Sequence, residues 1–421
     1  MIANRWTART LGFGRRIFLL LGAVAGILAS WYNPAKADAG FDRWLAAQWP
    51  AAQALGISKA TFERETRGLE PDYGLPDLAI PGKPKAPDRQ AEFVQTPAAY
   101  VSDAAIGKLA AQGRALARQH AASLAAIEQR FGVPGNVLLA IWARETAYGG
   151  AKLSYDTLRV VATQAYVGRR KEQFRDEFLA ALKILDDGHV TRAQMKSSWA
   201  GAMGLTQFLP TGYLTYGVDL NGDGTANIWT DVPEALAATA SLLREKGWQA
   251  GKSWAYEVSL PKGFDCTLAE PGVQRPIRDW LRQGVAPAFG QRLSPAAQSE
   301  TASIIMPAGP YGPAFLTPAN YFALKAYNFA DLYVLYVGHL ADRILIDRPF
   351  ATPWAKIELV RTADLEFMQK VMTQQGFYAE KIDGKAGMKT RAALGAYQKA
   401  SGLPLDCWPD AQVLAHMRKG G

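Results

Sequence analysis

Cysteine and histidine are scarce in this chain of 421 residues, which has two cysteines and four histidines. The histidines are His120, His189, His339 and His416. Their separations match no metal-ligand spacing, so we expect no zinc site. Cys266 and Cys407 could pair in an oxidising compartment. A chain of this length can bury a core without a disulfide, however, and we expect the two cysteines to remain unpaired.

The sequence also lacks basic runs with interleaved aromatic residues, which argues against a nucleic-acid partner. Its net charge is +9, and this falls to +4 if the first 37 residues are removed, because they hold five basic residues and no acid. A mildly basic surface of this kind favours an anionic polymer as a partner.

The first 37 residues have the pattern of an export signal. A basic start with the pair Arg15-Arg16 precedes an apolar run over residues 17–29, and Ala35-Lys36-Ala37 matches an A-x-A cleavage signal. The apolar run is too short to span a membrane as an anchor. The residue directly after the predicted cleavage point is Asp38 and not a cysteine, which argues against a lipid anchor of the bacterial lipoprotein type. We therefore expect cleavage after Ala37 and a periplasmic protein without a stable membrane anchor. Export by the Sec and by the twin-arginine route both remain open.

Glu145 occupies an unusual place for a charged side chain. At helical spacing it continues the apolar stripe of Leu138, Ile141 and Trp142. Burial against apolar side chains raises the pKa of a carboxyl group, and a carboxylic acid that is protonated near neutral pH can donate its proton to a leaving group. Cleavage of a glycosidic bond has this requirement.

We expect the helix that carries Glu145 to be short. Asn136 is its predicted N-cap, and Gly149-Gly150 is its predicted end. The alternative interpretation is an ordinary glutamate at a helix border, paired with a basic neighbour such as Arg144.

Small residues dominate a second segment, Ser198 to Pro210. Ala200, Gly201, Ala202 and Gly204 would let a backbone or a bulky ligand approach closely. Gln207 offers a donor and an acceptor that suit the amide and hydroxyl groups of a sugar. The alternative is a tight packing turn without a ligand.

Together the two segments resemble the lytic murein transglycosylase B family. The matching motifs are Glu145-Thr-Ala-Tyr-Gly149 and Ser198-x-Ala-Gly-Ala-Met-Gly-x-x-Gln-Phe-x-Pro210, with further similarity at Gln90-Ala-Glu-Phe93, at Ile127 to Pro134 and at Tyr327-Asn328. The similarity covers residues 41 to 348. It implies a mainly α protein, with a lysozyme-like, α-rich catalytic domain that has minor β structure and spans residues 38–350.

The resemblance also implies a reaction. The family cleaves the β-1,4 bond between N-acetylmuramic acid and N-acetylglucosamine in peptidoglycan and leaves a 1,6-anhydro sugar end. Glu145 matches its single acid/base, which first protonates the leaving oxygen and then takes the proton of the muramoyl 6-hydroxyl. The acetamido group of the substrate replaces a second carboxylate, so catalysis needs no cofactor.

Family positions also imply which residues bind the substrate. These are Ser198, Met203, Gln207, Tyr166, Tyr327, Asn328 and Tyr333. Ser198 would hydrogen-bond Glu145 or the substrate, and Gln207 would hold a sugar. For the tyrosines, packing in the core is the competing use.

A loop that begins at Asp219 resembles the first half of an EF-hand, with oxygen-bearing side chains at alternate positions and a glycine for the sharp turn. The predicted ligands of a structural Ca²⁺ are Asp219, Asn221, Asp223 and Thr225. Thr230 stands where an EF-hand has a bidentate glutamate, which suggests weak or selective binding unless Asp231 or Glu234 completes the coordination sphere. An ordinary Asx turn is the alternative.

Residues 361–421 resemble a small three-helix peptidoglycan-binding module. The similarity includes Asp383-Gly384, Gly387, Thr390 and Tyr397-Gln398. The Pro-bearing stretch from Asp347 to Pro353 separates this module from the catalytic domain, so we expect each to fold alone. Tethering a wall-binding module would raise the local concentration of the enzyme at its substrate.

Composition and periodicity predict the remaining organisation. We expect helices over residues 38–67, an irregular chain from Gly68 to Pro97, helices from Asp103 to Lys246, short strands such as Trp254–Val258 within residues 247–320, and one last helix from Tyr321 to Ile346.

Two other functions fit the same sequence. A muramidase that uses water would share Glu145 but needs a second carboxylate in the cleft. A wall-binding scaffold with a degenerate site is the other alternative, although the retention of Glu145, Ser198 and Gln207 argues against it. Mass analysis of digested wall separates transglycosylase from muramidase, because anhydro ends weigh one water less.

Overall fold

Helices are the main elements of the computed structural model, which describes residues 38–80 and 95–420. In chain order they are α1 Ala39–Ala46, α2 Trp49–Ala54, α3 Lys59–Thr66, α4 Pro97–Tyr100, α5 Asp103–Gln119, α6 Ala121–Phe131, α7 Gly135–Thr146, α8 Thr157–Val167, α9 Lys171–Asp186, α10 Pro210–Tyr216, α11 Val232–Glu245, α12 Ile277–Arg282, α13 Pro295–Ser299, α14 Ala319–Tyr327, α15 Asp331–Leu345, α16 Thr362–Gln374, α17 Met388–Ala400 and α18 Ala411–Arg418. The mainly α prediction is confirmed. The predicted export signal and the segment Gln90–Phe93 lie outside the described residues.

The strands are short and lie mostly between α11 and α14. They are β1 Tyr155–Asp156, β2 Lys196–Ser197, β3 Tyr256–Ser259, β4 Arg275–Pro276, β5 Ala286–Pro287, β6 Thr301–Ile305, β7 Pro307–Pro310 and β8 Ala314–Thr317. Antiparallel pairing gives a five-stranded sheet in the order β4-β6-β8-β3-β5, with Ile304 of β6 opposite Leu316 of β8. The prediction of short strands within residues 247–320 is confirmed.

Helix α7 lies at the centre of the largest apolar core. Every residue from Val137 to Ala143 is buried, as expected for a helix that is apolar on all sides. α5 and α15 pack against it and against each other. A second apolar core forms around α8, α9 and the first helices of the chain. The segment that carries Glu145 is therefore supported by packed helices and not by loops alone.

The predicted N-cap of α7 was wrong. Pro134, in an extended conformation, precedes the first helical residue, Gly135, and the side-chain amide of Asn136 instead donates to the carbonyl of Ala341 at 3.1 Å. Proline favours this start because its ring fixes φ near the helical value and restricts the residue before it to extended conformations. The Asn136 side chain thus links α7 to α15.

The single last helix predicted from Tyr321 to Ile346 is two helices, α14 and α15. Asn328 lies at the break in an extended conformation, and its side-chain oxygen accepts the backbone N–H of Ala330 at 3.0 Å. Short polar side chains compete with helical hydrogen bonding in this way. The break turns the chain back at the residues predicted to bind the substrate.

The prediction of unpaired cysteines was also wrong. Cys266 and Cys407 form a disulfide with a Cα–Cα distance of 6.0 Å, across a sequence separation of 141 residues. The bond joins the sheet region to the C-terminal three helices, which have an apolar core of their own. The sequence argument weighed only whether a core needs a disulfide. It could not show that tertiary packing brings the two residues together.

The chain beyond residue 38 clusters as one compact unit. The disulfide and ion pairs attach the C-terminal module to the sheet region. In one of these ion pairs, Lys399 Nζ lies 2.7 Å from Asp265 Oδ2. Among the described residues, no helix is both long and apolar enough to span a membrane.

Candidate active site

Glu145 is the penultimate residue of α7 and is half-buried. Three residues in succession after Thr146 have left-handed backbone conformations, with φ of 49° at Ala147, 57° at Tyr148 and 83° at Gly149. The first two lack the freedom of glycine, and such conformations persist only where the surroundings impose them. Tyr148 supplies one such restraint, because its hydroxyl donates to the Leu109 carbonyl of α5 at 3.1 Å. The end of α7 is therefore held in a defined orientation.

Tyr333 contacts Glu145 directly. Its hydroxyl donates to Glu145 Oε1 at 2.5 Å. Burial, followed by the negative charge of Glu145, raises the pKa of Tyr333 well above its ordinary value. The phenol therefore stays protonated at neutral pH and acts as a donor to the carboxylate.

Tyr327 completes an aromatic pair at this site. Its ring lies parallel to that of Tyr333, with the ring centroids 6.3 Å apart, and its hydroxyl donates to the carbonyl of Thr206. Burial, and then the charge of Glu145, raises the pKa of Tyr327 as well. The structure thus joins α7, α14, α15 and the 198–210 segment around one carboxyl group.

The 198–210 segment is held by its own backbone and by α7. Thr146 Oγ1 donates to the Leu205 carbonyl at 2.6 Å, and Ser198 Oγ accepts the backbone N–H of Ala202 at 3.3 Å. Gln207 has φ of 57°, and its side-chain amide donates to the Gly204 carbonyl at 3.1 Å. A tight turn therefore presents Ser198 and Gln207, both half-buried.

The structure places the other predicted substrate residues differently. The Met203 side chain is 0% exposed and packs in the second core, while its backbone pairs with Phe208. Tyr166 packs against Phe41 and Trp44 of α1, with ring centroids 5.3 and 5.9 Å away. Tyr166 thus makes contacts of the core-packing kind, which is the alternative to substrate binding given above for the tyrosines.

Asn328 is half-buried directly after Tyr327 and shapes the turn into α15. The structure therefore groups Tyr327, Asn328 and Tyr333 on one short segment beside Glu145. Their roles toward a substrate stay predictions.

The loop at Asp219 has a donor set that suits a hard cation. The side-chain oxygens of Asp219 accept backbone N–H groups of Gly222 at 2.6 Å and Gly224 at 2.8 Å, which folds the loop around them. The next two predicted ligands, Asn221 and Asp223, are exposed to solvent. A hydrogen bond from the Thr225 hydroxyl lowers the pKa of Asp223. Carboxylate and amide oxygens in this spacing fit Ca²⁺.

Two nearby acids have other roles in this structure. Glu234 is buried, and its two oxygens accept backbone N–H groups of Leu220 at 3.1 Å and Asn227 at 2.6 Å. Asp231 caps α11 by accepting the N–H of Glu234 at 3.0 Å. Both acids thus hold the shape of the loop, and the residues that fit a cation remain Asp219, Asn221, Asp223 and Thr225.

Sequence reasoning missed two kinds of supporting residue. Thr146, next to Glu145, anchors the 198–210 segment, and its buried hydroxyl gave no periodic signal. Arg391 of the C-terminal module reaches Asp331, the first residue of α15, with Nη2 3.1 Å from Oδ2. Only the folded chain brings Arg391 to Asp331, since 60 positions separate them in sequence.

Two family models match the chain. One described as transglycosylase SLT domain matches residues 40–342, and one described as putative peptidoglycan binding domain matches residues 361–417. The first match includes α7, the 198–210 segment, α14 and most of α15. The predicted lysozyme-like domain followed by a peptidoglycan-binding domain is confirmed.

Individual relatives agree with the family models. The crystal structure of SltB3 from Pseudomonas aeruginosa in complex with NAG-NAM-pentapeptide is 37% identical, has a TM-score of 0.81 and covers 90% of this chain and 99% of that one. The same figures hold for the SltB3 complex with NAG-anhNAM-pentapeptide. Membrane-bound lytic murein transglycosylase B of Escherichia coli K12 is 27% identical over 227 residues, which span 52% of this chain and 59% of that protein.

Proposed function

Because the chain belongs to the transglycosylase SLT domain family, we propose that it is a lytic transglycosylase that cuts peptidoglycan between N-acetylmuramic acid and N-acetylglucosamine and forms 1,6-anhydromuramoyl ends. Glu145 is its single acid/base. The observation that carries this proposal is the hydrogen bond between the protonated Tyr333 phenol and Glu145 Oε1 at 2.5 Å.

In the first step Glu145 donates a proton to the glycosidic oxygen. The oxygen that carries the proton of a carboxylic acid is the weaker acceptor, and Oε1 accepts the hydrogen bond from Tyr333. We therefore assign the proton to Oε2, from which it passes to the glycosidic oxygen. As the bond from the anomeric carbon to oxygen breaks, N-acetylglucosamine leaves with the proton, and the muramoyl acetamido oxygen stabilises the anomeric carbon.

In the second step the same carboxylate acts as a base. It removes the proton from the muramoyl 6-hydroxyl while that oxygen bonds to the anomeric carbon and displaces the acetamido oxygen. The product is a 1,6-anhydro ring, and Glu145 regains its proton. Tyr333 donates to the carboxylate while it is charged, so it stabilises the state between the two steps.

Two observations support this function over hydrolysis. The side chains placed beside Glu145 include the neutral phenols of Tyr333 and Tyr327, and the resemblance implies no second acid among the substrate-binding residues. The SltB3 structure, which this chain resembles, was solved with both NAG-NAM-pentapeptide and NAG-anhNAM-pentapeptide. A two-carboxylate hydrolase instead needs a second acid roughly 5 to 9 Å from the first.

Replacement of Glu145 tests the assignment. Glu145→Gln keeps the size of the side chain but cannot transfer the proton, so turnover on purified wall should fall by roughly two to four decades. Glu128→Gln, an exposed glutamate on α6, is the matched control and should keep parental turnover. Lysis by Glu145→Gln at the parental rate would refute the role of Glu145.

Mass analysis of the released fragments tests the type of reaction. Anhydro ends weigh one water less than reducing ends, so the parental protein should release fragments with the lower mass throughout the digest. Fragments with reducing ends, formed from the start of the reaction, would identify a muramidase instead.

The same proposal covers the remaining parts of the chain. Residues 361–417 bind insoluble wall, as the matching family description suggests. The Asp219 loop binds a structural Ca²⁺ that has no part in catalysis, and the export signal delivers the protein to the periplasm.

A further inference from the structure

Four buried or half-buried charged side chains, Glu270, Lys325, Asp331 and Arg391, form one cluster where the C-terminal module meets the catalytic part of the chain. Arg391 lies on α17 and is 3% exposed. Its Nε and Nη2 donate to the two carboxylate oxygens of Glu270 at 2.7 and 2.9 Å, and Nη2 also donates to Asp331 Oδ2 at 3.1 Å. The cluster holds two positive and two negative charges, so it is balanced.

Asp331 connects this cluster to the candidate active site. It is the first residue of α15, and its Oδ1 accepts hydrogen bonds from Lys325 Nζ at 2.5 Å and from the Tyr321 hydroxyl at 2.9 Å. Although burial opposes its charge, Lys325 and Arg391 hold the pKa of Asp331 below its ordinary value. A negative side chain in the first turn also favours the helix. The start of α15 is therefore located by the cluster.

The site residues lie on the same short segment. Tyr333, two positions after Asp331, donates to Glu145, and Tyr327, four positions before Asp331, donates to Thr206. The segment is thus held by the cluster in its middle and by catalytic elements at both ends. A displacement of Asp331 would therefore also displace the phenol groups of Tyr327 and Tyr333.

A second contact joins the module to this segment. Lys385 Nζ lies 5.6 Å from the ring centroid of Phe329, between Asn328 and Ala330 in the chain. Phe329 is 62% exposed. Cation–π contacts at exposed positions are weak, so Arg391 is the stronger connection.

Stability alone explains the cluster poorly. A buried ion pair can often be replaced by apolar residues without loss of stability, whereas the planar guanidinium of arginine fixes geometry by bonding two carboxylates at defined angles. Glu270 also has φ of 71°, which is uncommon for a residue other than glycine. The cluster therefore holds backbone and side chains in a particular arrangement.

We propose that Arg391 is a positioning residue of the active site, which holds the Tyr327–Tyr333 segment against Glu145 through Asp331. The peptidoglycan-binding module is then a structural part of the catalytic site as well as a wall tether. This inference rests on the proposed role of Glu145.

Substitutions in the full chain test the inference. Arg391→Met removes the guanidinium, Arg391→Lys keeps its charge, and Glu270→Gln with Arg391→Met keeps the cluster balanced if the single variant folds poorly. Lys399→Met is the matched control, because Lys399 lies on the same helix and pairs with Asp265, which is outside the Tyr327–Tyr333 segment. Turnover is measured on short soluble glycan chains, where wall tethering contributes little.

Arg391→Met, or the balanced double variant, should lower kcat by roughly ten- to a hundredfold, because small displacements of catalytic groups have effects of this size. Arg391→Lys should recover part of the loss, and Lys399→Met should keep parental kcat. A weaker Tyr333 bond leaves the Glu145 carboxylate less stabilised, so the alkaline limb of the pH–rate profile should move to higher pH. Parental kcat and an unmoved profile in a folded Arg391→Met protein would overturn the inference.

A double substitution shows whether Arg391 acts through Tyr333. If it does, adding Arg391→Met to Tyr333→Phe should not move the pH profile further, because coupled residues are not additive. A full additional shift would mean that Arg391 acts by another route, and the inference would be wrong.

Amide hydrogen exchange separates this inference from the proposed function. Exchange over residues 328–335 should be faster in Arg391→Met than in the parent or in Lys399→Met, whatever the catalytic activity. Unchanged exchange would overturn the inference. Failure of the parental protein to release anhydro fragments would overturn the proposed function, while faster exchange in the variant would still support the positioning role.

Discussion

At the scale of single residues, the candidate site places the neutral phenol of Tyr333 against the carboxyl group of Glu145. Tyr333 is 2% exposed, so its hydroxyl has exchanged water for Glu145 as its partner. A hydrogen bond to a charged group stabilises the charged form. In the proposed mechanism, Tyr333 would therefore favour release of the Glu145 proton without transferring a proton itself.

Tyr333→Phe tests this role through the pH dependence of the reaction. Without the phenol the carboxylate is less stable, so Glu145 should keep its proton to higher pH. The alkaline limb of the pH profile of kcat/KM should therefore move to higher pH by roughly one unit. The pH–rate profile of the purified variant on soluble chains measures this shift.

Tyr336→Phe is the control, because Tyr336 lies on the same helix with its ring against Arg144. Its profile should coincide with that of the parent. A shift to lower pH in Tyr333→Phe would contradict the orientation of the hydrogen bond.

At the scale of elements, the division between α14 and α15 matters more for function than the total helix content. Asn328 ends the first helix and caps the turn into the second. One continuous helix would carry Tyr327 and Tyr333 on different faces, since six positions correspond to more than one and a half turns. The break lets both rings stack parallel beside Glu145.

The Asp219 loop is an element with a separate prediction. If it binds calcium, the ion stabilises the folded state by mass action, by about 2.7 kcal/mol at a hundred times the dissociation constant. Addition of calcium should therefore raise the melting temperature of the parent, and Asp219→Ala should abolish this rise. Thermal melts with and without calcium provide the measurement.

Asp279→Ala is the matched control for calcium, because Asp279 is a surface acid paired with Arg282 outside the loop. It should respond to calcium as the parent does. An Asp219→Ala protein with the parental response would leave the loop as an ordinary turn.

At the scale of the whole molecule, covalent and ionic contacts attach the C-terminal module to the sheet region. The disulfide between Cys266 and Cys407, the Lys399–Asp265 pair and the Glu270–Arg391 pair all cross from the module to the sheet region. Removal of residues 361–421 would leave Glu270 buried without its arginine. Truncation would therefore destabilise the catalytic part, and independent folding of the two parts is less favourable than the sequence suggested.

The disulfide should contribute measurably to stability. It closes a loop of 141 residues, and disulfides typically stabilise proteins by about 2–4 kcal/mol. Because the unfolding entropy of a chain of this length is large, a Cys266→Ala and Cys407→Ala double variant should melt roughly 2 to 5 °C below the parent. Calorimetry under identical non-reducing conditions measures the difference.

A reductant provides the control for the disulfide prediction. It should lower the melting temperature of the parent and leave that of the double variant unchanged. Equal melting temperatures for the oxidised parent and the variant would show that the module is held by its other contacts alone.

The sequence by itself determined the features that depend on neighbouring residues. The mainly α fold, the helix around Glu145, the turn-rich sheet region and the three-helix module follow from periodicity and from local motifs, since 3.6-residue spacing and glycine positions are encoded within short segments. The motifs around Glu145 and in the 198–210 segment, which occur in the family's order along the chain, also identified the family. The matching family models confirm it.

Only the tertiary structure decided which distant residues meet. Tyr333 lies 188 positions from Glu145, and Arg391 lies 121 positions from Glu270, so neither pair leaves a local pattern. The same holds for the disulfide, and for the burial of Met203, whose family position had implied a substrate-binding residue. Such contacts arise because packed helices and strands bring separate segments together, and their energy depends on geometry that spacing in sequence does not contain.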